Sequence, residues 1–315
     1  MSLNKVIAVM TAIALQANPA PSQIPTELYD EPLIQTQEEI EKQPVIPERN
    51  PEIDFSIITN AQSEIVVDVS SGLVLYAKNA KVQRPLASLT KLVSSMVILD
   101  AGLNPDEDIL VHAYDIESIG RNWLESGESM KRGEAFQGML IQSVNELANA
   151  FADAYPGGRE AFVEAMNNKA RTLELEDTTF VDPSGISPSN VSTALDIARI
   201  IRSALAYPEI REATEMSIAT FSTTGGRSIR FDTTNNLLSS YLNQDPYRIV
   251  LGKTGSLPEA GYCLGQVTRH PDGQQIIAIV LGESDHFARF QDVKALTAWS
   301  FDAYRWEKRG ESSSE

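Results

Sequence analysis

Strand-like runs stand at both ends of this chain, with a long stretch of helical period between them. "SEIVVDVSSGLVLYAKNA" alternates apolar and β-branched residues on either side of Ser70-Ser71-Gly72, a hairpin signature. "YRIVLGKTG", "GYCLGQVTRH" and "QQIIAIVLGES" read the same way far downstream, the last two joined by a Pro271-Asp272-Gly273 turn. From Pro85 to about Ala206 the period is helical. "GEAFQGMLIQSVNELANAFADAY" and "GREAFVEAMNNKARTLEL" are amphipathic there, and "STALDIARIIRSALAY" opens on Ser192 or Thr193 as its cap. A last amphipathic helix, "ARFQDVKALTAWSFDAYRW", closes the pattern. Strands at both ends must pair with each other to satisfy their backbone groups. The pattern therefore predicts an α/β (α+β) domain over residues 54–308: one mainly antiparallel sheet flanked by helices, with an all-helical lobe at about 86–240 inserted into it.

Outside that domain the chain reads differently. Residues 1–17 hold one lysine and an apolar run too short to span a bilayer, which fits a secretory signal peptide and export; a leading strand or frayed helix is the bland alternative. Residues 18–53 alternate prolines with acidic and amide residues, a linker or disordered tail. Residues 309–315 form a short polar tail. A formal charge of −17 excludes a nucleic-acid binder, which needs a basic face. Cys263 stands alone, so no internal disulfide forms. His112, His270 and His286 lack metal-ligand spacing, which speaks against a zinc site and a Ser-His-Asp triad; no cofactor is called for.

Three short elements carry chemistry. "RPLASLTKLVSSMVILDAG" places Ser88 and Lys91 three apart at the start of a helix that should be buried, and a buried lysine is costly unless something uses it. By itself the pair also reads as plain helix surface. "LIQSVNELA" holds Ser143 and Asn145 around Val144 near a helix start, where Ser143 could serve only as a cap. "IVLGKTGS" sets Lys253, Thr254 and Gly255 on a strand; no upstream glycine loop and no following helix support a phosphate-loop reading. In this order the three form the S-x-x-K, S-x-N, K-T-G pattern of penicillin-recognising serine enzymes. A serine hydroxyl needs an adjacent base, and Lys91 can be that base only as a neutral amine, which burial and the charge of Lys253 both favour. The N–H groups of Ser88 and Ser256 could form an oxyanion hole, and Ser143 could relay a proton to the leaving amine. Asn145 would orient Lys91 and the substrate, Lys253 and Thr254 would receive a carboxylate, and Gly255 would let a peptide lie along the strand edge.

At these residues, and in "YPGGREAFVEAMNNKA", "TTFVDPSGISPSNVST" and "KTGSLPEAGYCLG", the sequence resembles the low-molecular-mass penicillin-binding proteins, the serine D-alanyl-D-alanine carboxypeptidases and endopeptidases. It is most similar to the branch typified by penicillin-binding protein 7, a periplasmic endopeptidase. The resemblance implies a serine β-lactamase/transpeptidase-like fold and an acyl-enzyme on peptidoglycan stem peptides. It also implies covalent capture by β-lactams, with no cofactor and no metal. The chain continues only briefly past Trp306, so neither the C-terminal β-domain nor the basic anchor helix of some relatives is expected. Val144 departs from the smaller or acidic residues common in the family. Two other readings use the same motifs. A β-lactamase would need a deacylating glutamate, and "LELEDTTFVDPSG" lacks the E-x-x-L-N pattern that supplies it. A non-catalytic penicillin-binding sensor would not need all three motifs intact.

Overall fold

The computed structural model describes residues 44–112 and 123–306. The signal-peptide reading for 1–17, most of the proposed linker and the 309–315 tail fall outside the described residues.

The strands pair across the length of the chain as the sequence requires. β2 (Ser63–Asp68) and β3 (Val74–Lys78) form the N-terminal hairpin, while β10 (Arg248–Leu257), β11 (Gly261–Arg269) and β12 (Gln275–Glu283) come from the far end. They join in the order β10-β11-β12-β2-β3, every pairing antiparallel, with Ile279 opposite Ile65 at the seam between the two chain ends. Side chains alternate across this sheet into two cores. Ile65, Val67, Ile277, Ile279 and Leu281 enter the larger one with the lobe. Val66, Ile276, Ala278 and Val280 enter a smaller one beneath α7 (Ala288–Ala303) with Phe290, Val293 and Leu296.

The inserted lobe holds α1 (Lys91–Asp100), α2 (Arg132–Ile141), α3 (Asn145–Asp153), α4 (Gly158–Thr172), α5 (Ala194–Ala204) and α6 (Pro208–Glu215). α1 is buried from Lys91 through Ile98, as a helix apolar on every side must be. Thr193 caps α5, its hydroxyl accepting from the Asp196 N–H at 3.0 Å. The lobe is not wholly helical: β4 (Arg84–Pro85) pairs with β7 (Val191–Ser192), and β5 (Asp108–Leu110) with β6 (Ser129–Lys131). β8 (Ile218–Ser222) and β9 (Ser228–Asp232) form a hairpin that buries Ile229 and Phe231 against it. The alternation of "SIRFD" is the signal for that hairpin.

The domain also begins earlier than Asp54. β1 (Glu48–Arg49) pairs with β13 (Tyr304–Arg305), and the Arg49 guanidinium lies 4.9 Å from the Trp299 ring centroid. This stretch lacks the apolar periodicity that marks an element. Stacking and main-chain pairing hold it instead. Among the described residues no helix is long and apolar enough to cross a membrane.

Candidate active site

Ser88 lies in a 3-10 turn, Ala87–Thr90, that runs directly into α1. Its backbone is held under strain. Ala87 has φ +47° and Ser143 has φ +61°, conformations that cost non-glycine residues roughly 1–3 kcal/mol and persist only where surroundings enforce them. The enforcement at Ala87 is visible. The Leu86 N–H donates to Asn190 O at 2.8 Å, and Gly185 packs so tightly that a Cβ there would lie 2.0 Å from Ala87 O. The Asp182 carboxylate fixes that loop by accepting the N–H groups of Ser184, Gly185 and Ser187 at 2.8, 2.6 and 2.9 Å.

Lys91 is fully buried, and three oxygens surround its nitrogen. Nζ lies 3.0 Å from Ser88 Oγ, 2.7 Å from Asn145 Oδ1 and 2.7 Å from Ser184 O. Two of these are carbonyl oxygens that only accept, so they take N–H bonds. Of these three, Ser88 alone can donate in return. A neutral amine at this position therefore offers its lone pair to the Ser88 hydroxyl.

Ser143 sits in the turn between α2 and α3 and does not cap α3: Val144 is the N-cap residue, and its side chain makes no cap bond. Instead Ser143 Oγ accepts from Lys253 Nζ at 2.8 Å. The Lys253 ammonium is pushed well below the usual lysine range, by burial first and then by the charges of Lys91 and Arg289. Three basic side chains thus crowd one region, where each discourages the charge of the others and a bound anion is favoured.

β10 carries Lys253, Thr254, Gly255 and Ser256 along the edge of the sheet, its outer side free of any partner strand among the described residues. A Cβ on Gly255 would stand 3.1 Å from the Ala87 Cβ, 3.1 Å from Leu86 O and 3.2 Å from the Ser88 N. The glycine is therefore what lets the strand approach the Ser88 turn. Between strand and turn opens a cleft of ≈ 370 Å³ whose wall includes Ser88, Ser143, Thr234, Thr254, Ser256 and Arg289. Of the eight residues singled out in the sequence, Ser88, Ser143, Thr254, Gly255 and Ser256 line this cleft, and Lys91, Asn145 and Lys253 stand behind them, joined by hydrogen bonds.

Three participants carry no sequence motif. Ser184 supplies the main-chain oxygen on Lys91. Thr234 pairs its hydroxyl with that of Thr254 at 2.6 Å. Arg289, at the start of α7, is buried and donates Nη1 to Gly255 O at 3.0 Å; burial lowers its pKa to about 10. Arg289 precedes Val293 and Leu296 by four and seven residues, so it occupies the buried stripe of its helix. A charge at such a position is the signal that could have found it.

A serine beside a strained alanine, backed by a buried lysine and set against the edge strand of a sheet assembled from both chain ends, defines the β-lactamase/transpeptidase class of serine acyl-transfer enzymes. The sequence matches the family described as D-alanyl-D-alanine carboxypeptidase over residues 50–285, and the chain belongs to that family of serine peptidases. It is 32% identical over 247 residues to a D-alanyl-D-alanine endopeptidase from Pseudomonas aeruginosa, covering 75% of this chain and 76% of that one. The Streptomyces K15 DD-transpeptidase superposes with a TM-score of 0.73 at 27% identity, covering 79% of this chain and 99% of that one. Penicillin-binding protein D2 from Listeria monocytogenes, in its cefotaxime-bound form, gives 0.69 at 28% identity, with 79% and 100% covered.

Proposed function

We propose that this chain cleaves the D-alanyl peptide bonds of peptidoglycan stem peptides through an acyl-enzyme on Ser88. The observation that carries this reading is the placement of Lys91 Nζ between the Ser88 hydroxyl and two oxygens that only accept. Neutral Lys91 takes the Ser88 proton as Oγ bonds to the carbonyl carbon of D-alanine. The resulting oxyanion is met by the N–H groups of Ser88 and Ser256. Collapse breaks the peptide bond, and the leaving amine receives its proton through Ser143, which Lys253 holds by hydrogen bond. Water then attacks the ester, with Lys91 again taking the proton, and Ser88 is regenerated. Asn145 keeps Lys91 in place, while Lys253, Thr254 and Arg289 receive the carboxylate on the leaving side. The unpartnered edge of β10 accepts the extended peptide as an added strand.

The name of the Pseudomonas relative supports the endopeptidase branch, and the cefotaxime-bound neighbour supports acylation by β-lactams. Residues 1–17 as an export signal, a linker over the proline-rich and acidic stretch from 18 to the start of β1, and action in the periplasm complete the proposal. The test is digestion of purified muropeptides. A crosslinked dimer should split into monomers with wild-type protein and stay intact with Ser88→Ala. If dimer and monomeric pentapeptide both survive wild-type protein unchanged, the peptidase reading is wrong.

A further inference from the structure

His286 lies at the mouth of the cleft and reaches none of the serine or lysine groups above; its polar partner there is Arg289. Arg289 Nη2 and His286 Nε2 are 3.1 Å apart. A guanidinium only donates, so Nε2 must be the acceptor and the imidazole must be neutral, with its proton on Nδ1. Tyr262, Phe287 and Phe290 hold the ring, with centroids 5.5, 4.8 and 5.6 Å away.

This contact completes the seat of Arg289. Nη1 donates to Gly255 O and Cys263 O at 3.0 and 3.4 Å, and the guanidinium carbon stands 4.6 Å from the Phe290 centroid. The Nε–H is buried with no partner. Nη2 carries a second N–H besides the one given to His286, a donor for an anionic oxygen in the cleft that Arg289 lines.

We propose that His286 is a positioning residue: as the neutral imidazole it holds the Arg289 guanidinium at the carboxylate end of the cleft, and its protonation releases that hold. Recognition of carboxylate-bearing substrates then weakens on acidification separately from the Ser88 chemistry. The inference rests on the reading of Arg289 given under Proposed function. Burial first, then the charge of Arg289, hold His286 below the ordinary imidazole range, with exposed Asp285 pulling the other way. The shift favours the neutral ring that the Arg289 contact requires, and acidification opposes it. Besides Arg289, the ionisable groups that touch or act on the ring are Asp285 and, on β11, Tyr262; Glu283 at the end of β12 and Asp292 on α7 pair with each other instead. None of them is an alternative acceptor for Nη2 in this structure.

The test measures acylation of the full chain by benzylpenicillin and by its methyl ester, each in competition with a fluorescent penicillin, from about pH 7.5 to about pH 5. Titration of Lys91 affects both compounds, so it cancels in the acid-to-ester ratio of rate constants. Penicillin's carboxylate stays ionised through this range. In wild-type protein the ratio should fall about tenfold toward acid, the size of one charge-assisted hydrogen bond. In His286→Gln, whose amide oxygen reaches the Nε2 position and does not protonate, the ratio should stay flat. His286→Asn, too short to reach Arg289, should give a low ratio at every pH, and thermal melts establish that each variant is folded. A ratio in His286→Gln that falls in parallel with wild type overturns the role of His286. A ratio in Arg289→Gln equal to wild type overturns instead the carboxylate reading beneath it.

Discussion

Gly255→Ala isolates how far catalysis depends on the approach of β10 to the Ser88 turn. The glycine does not occupy the left-handed region, so alanine fits its backbone, and the only obstacle is space. The new methyl would stand 3.1 Å from the Ala87 Cβ, 3.1 Å from Leu86 O and 3.2 Å from the Ser88 N, each a few tenths of an ångström inside ordinary contact. None of these atoms can swing aside by changing a rotamer. Relief must come from moving the turn, and Ser88 moves with it. Displacing a reacting group by 1 Å costs about 100-fold, so a few tenths should slow acylation about three- to tenfold. Overpacking should cost about 1–3 kcal/mol of stability. Stopped-flow acylation by a fluorescent penicillin reads the first effect and a denaturant melt the second. Ala87→Gly removes one of the three contacts and suits the positive φ, so the double variant should recover part of the lost rate. Acylation by Gly255→Ala within twofold of wild type would refute the reasoning.

Two further outcomes are expected. Lys91→Ala should slow acylation by about 10²- to 10⁴-fold, the usual cost of losing a general base, and a near-normal rate in the same stopped-flow assay would count against Lys91 as the base. Burial and the neighbouring Glu283 raise the Asp292 carboxyl from 3.8 to about 6, so the folded state holds this proton more tightly than the unfolded chain does. Its contribution to stability is therefore full in acid and is lost as pH rises through about 6; Tm should fall over that interval, and Asp292→Asn should flatten the fall.

The sheet was legible because short β-branched apolar runs bounded by turn residues stand at both chain ends; the structure adds that successive side chains of "IVVD" and "QIIAIVLGE" enter two different cores. The central helix was legible from apolar residues on every side. The β8–β9 hairpin was missed although its alternation is plain: it lies past Ala206, where the helical period ends, yet inside the 86–240 bounds given to an all-helical lobe. Residues 48–49 were assigned to the linker because main-chain pairing and one arginine over a ring leave no periodic trace. At the site, the residues with fixed spacing were found: Ser88 with Lys91, Ser143 with Asn145, and Lys253 through Ser256. Ser184 acts through its main-chain oxygen, which any residue type possesses, so its identity gave no sign of its part. Thr234 meets Thr254 only because a loop folds back on β10. Strain at Ala87 and Ser143 was likewise invisible, because alanine and serine carry no preference for the left-handed region.

The central claim is that the buried amine of Lys91 turns one hydroxyl, that of Ser88, into a nucleophile. Intact-protein mass spectrometry after incubation with benzylpenicillin, followed by peptide mapping, addresses it directly. The account predicts one penicilloyl group per chain, on the peptide that contains Ser88, and none in Ser88→Ala. An adduct on any other residue, or an equal adduct in Ser88→Ala, would contradict it.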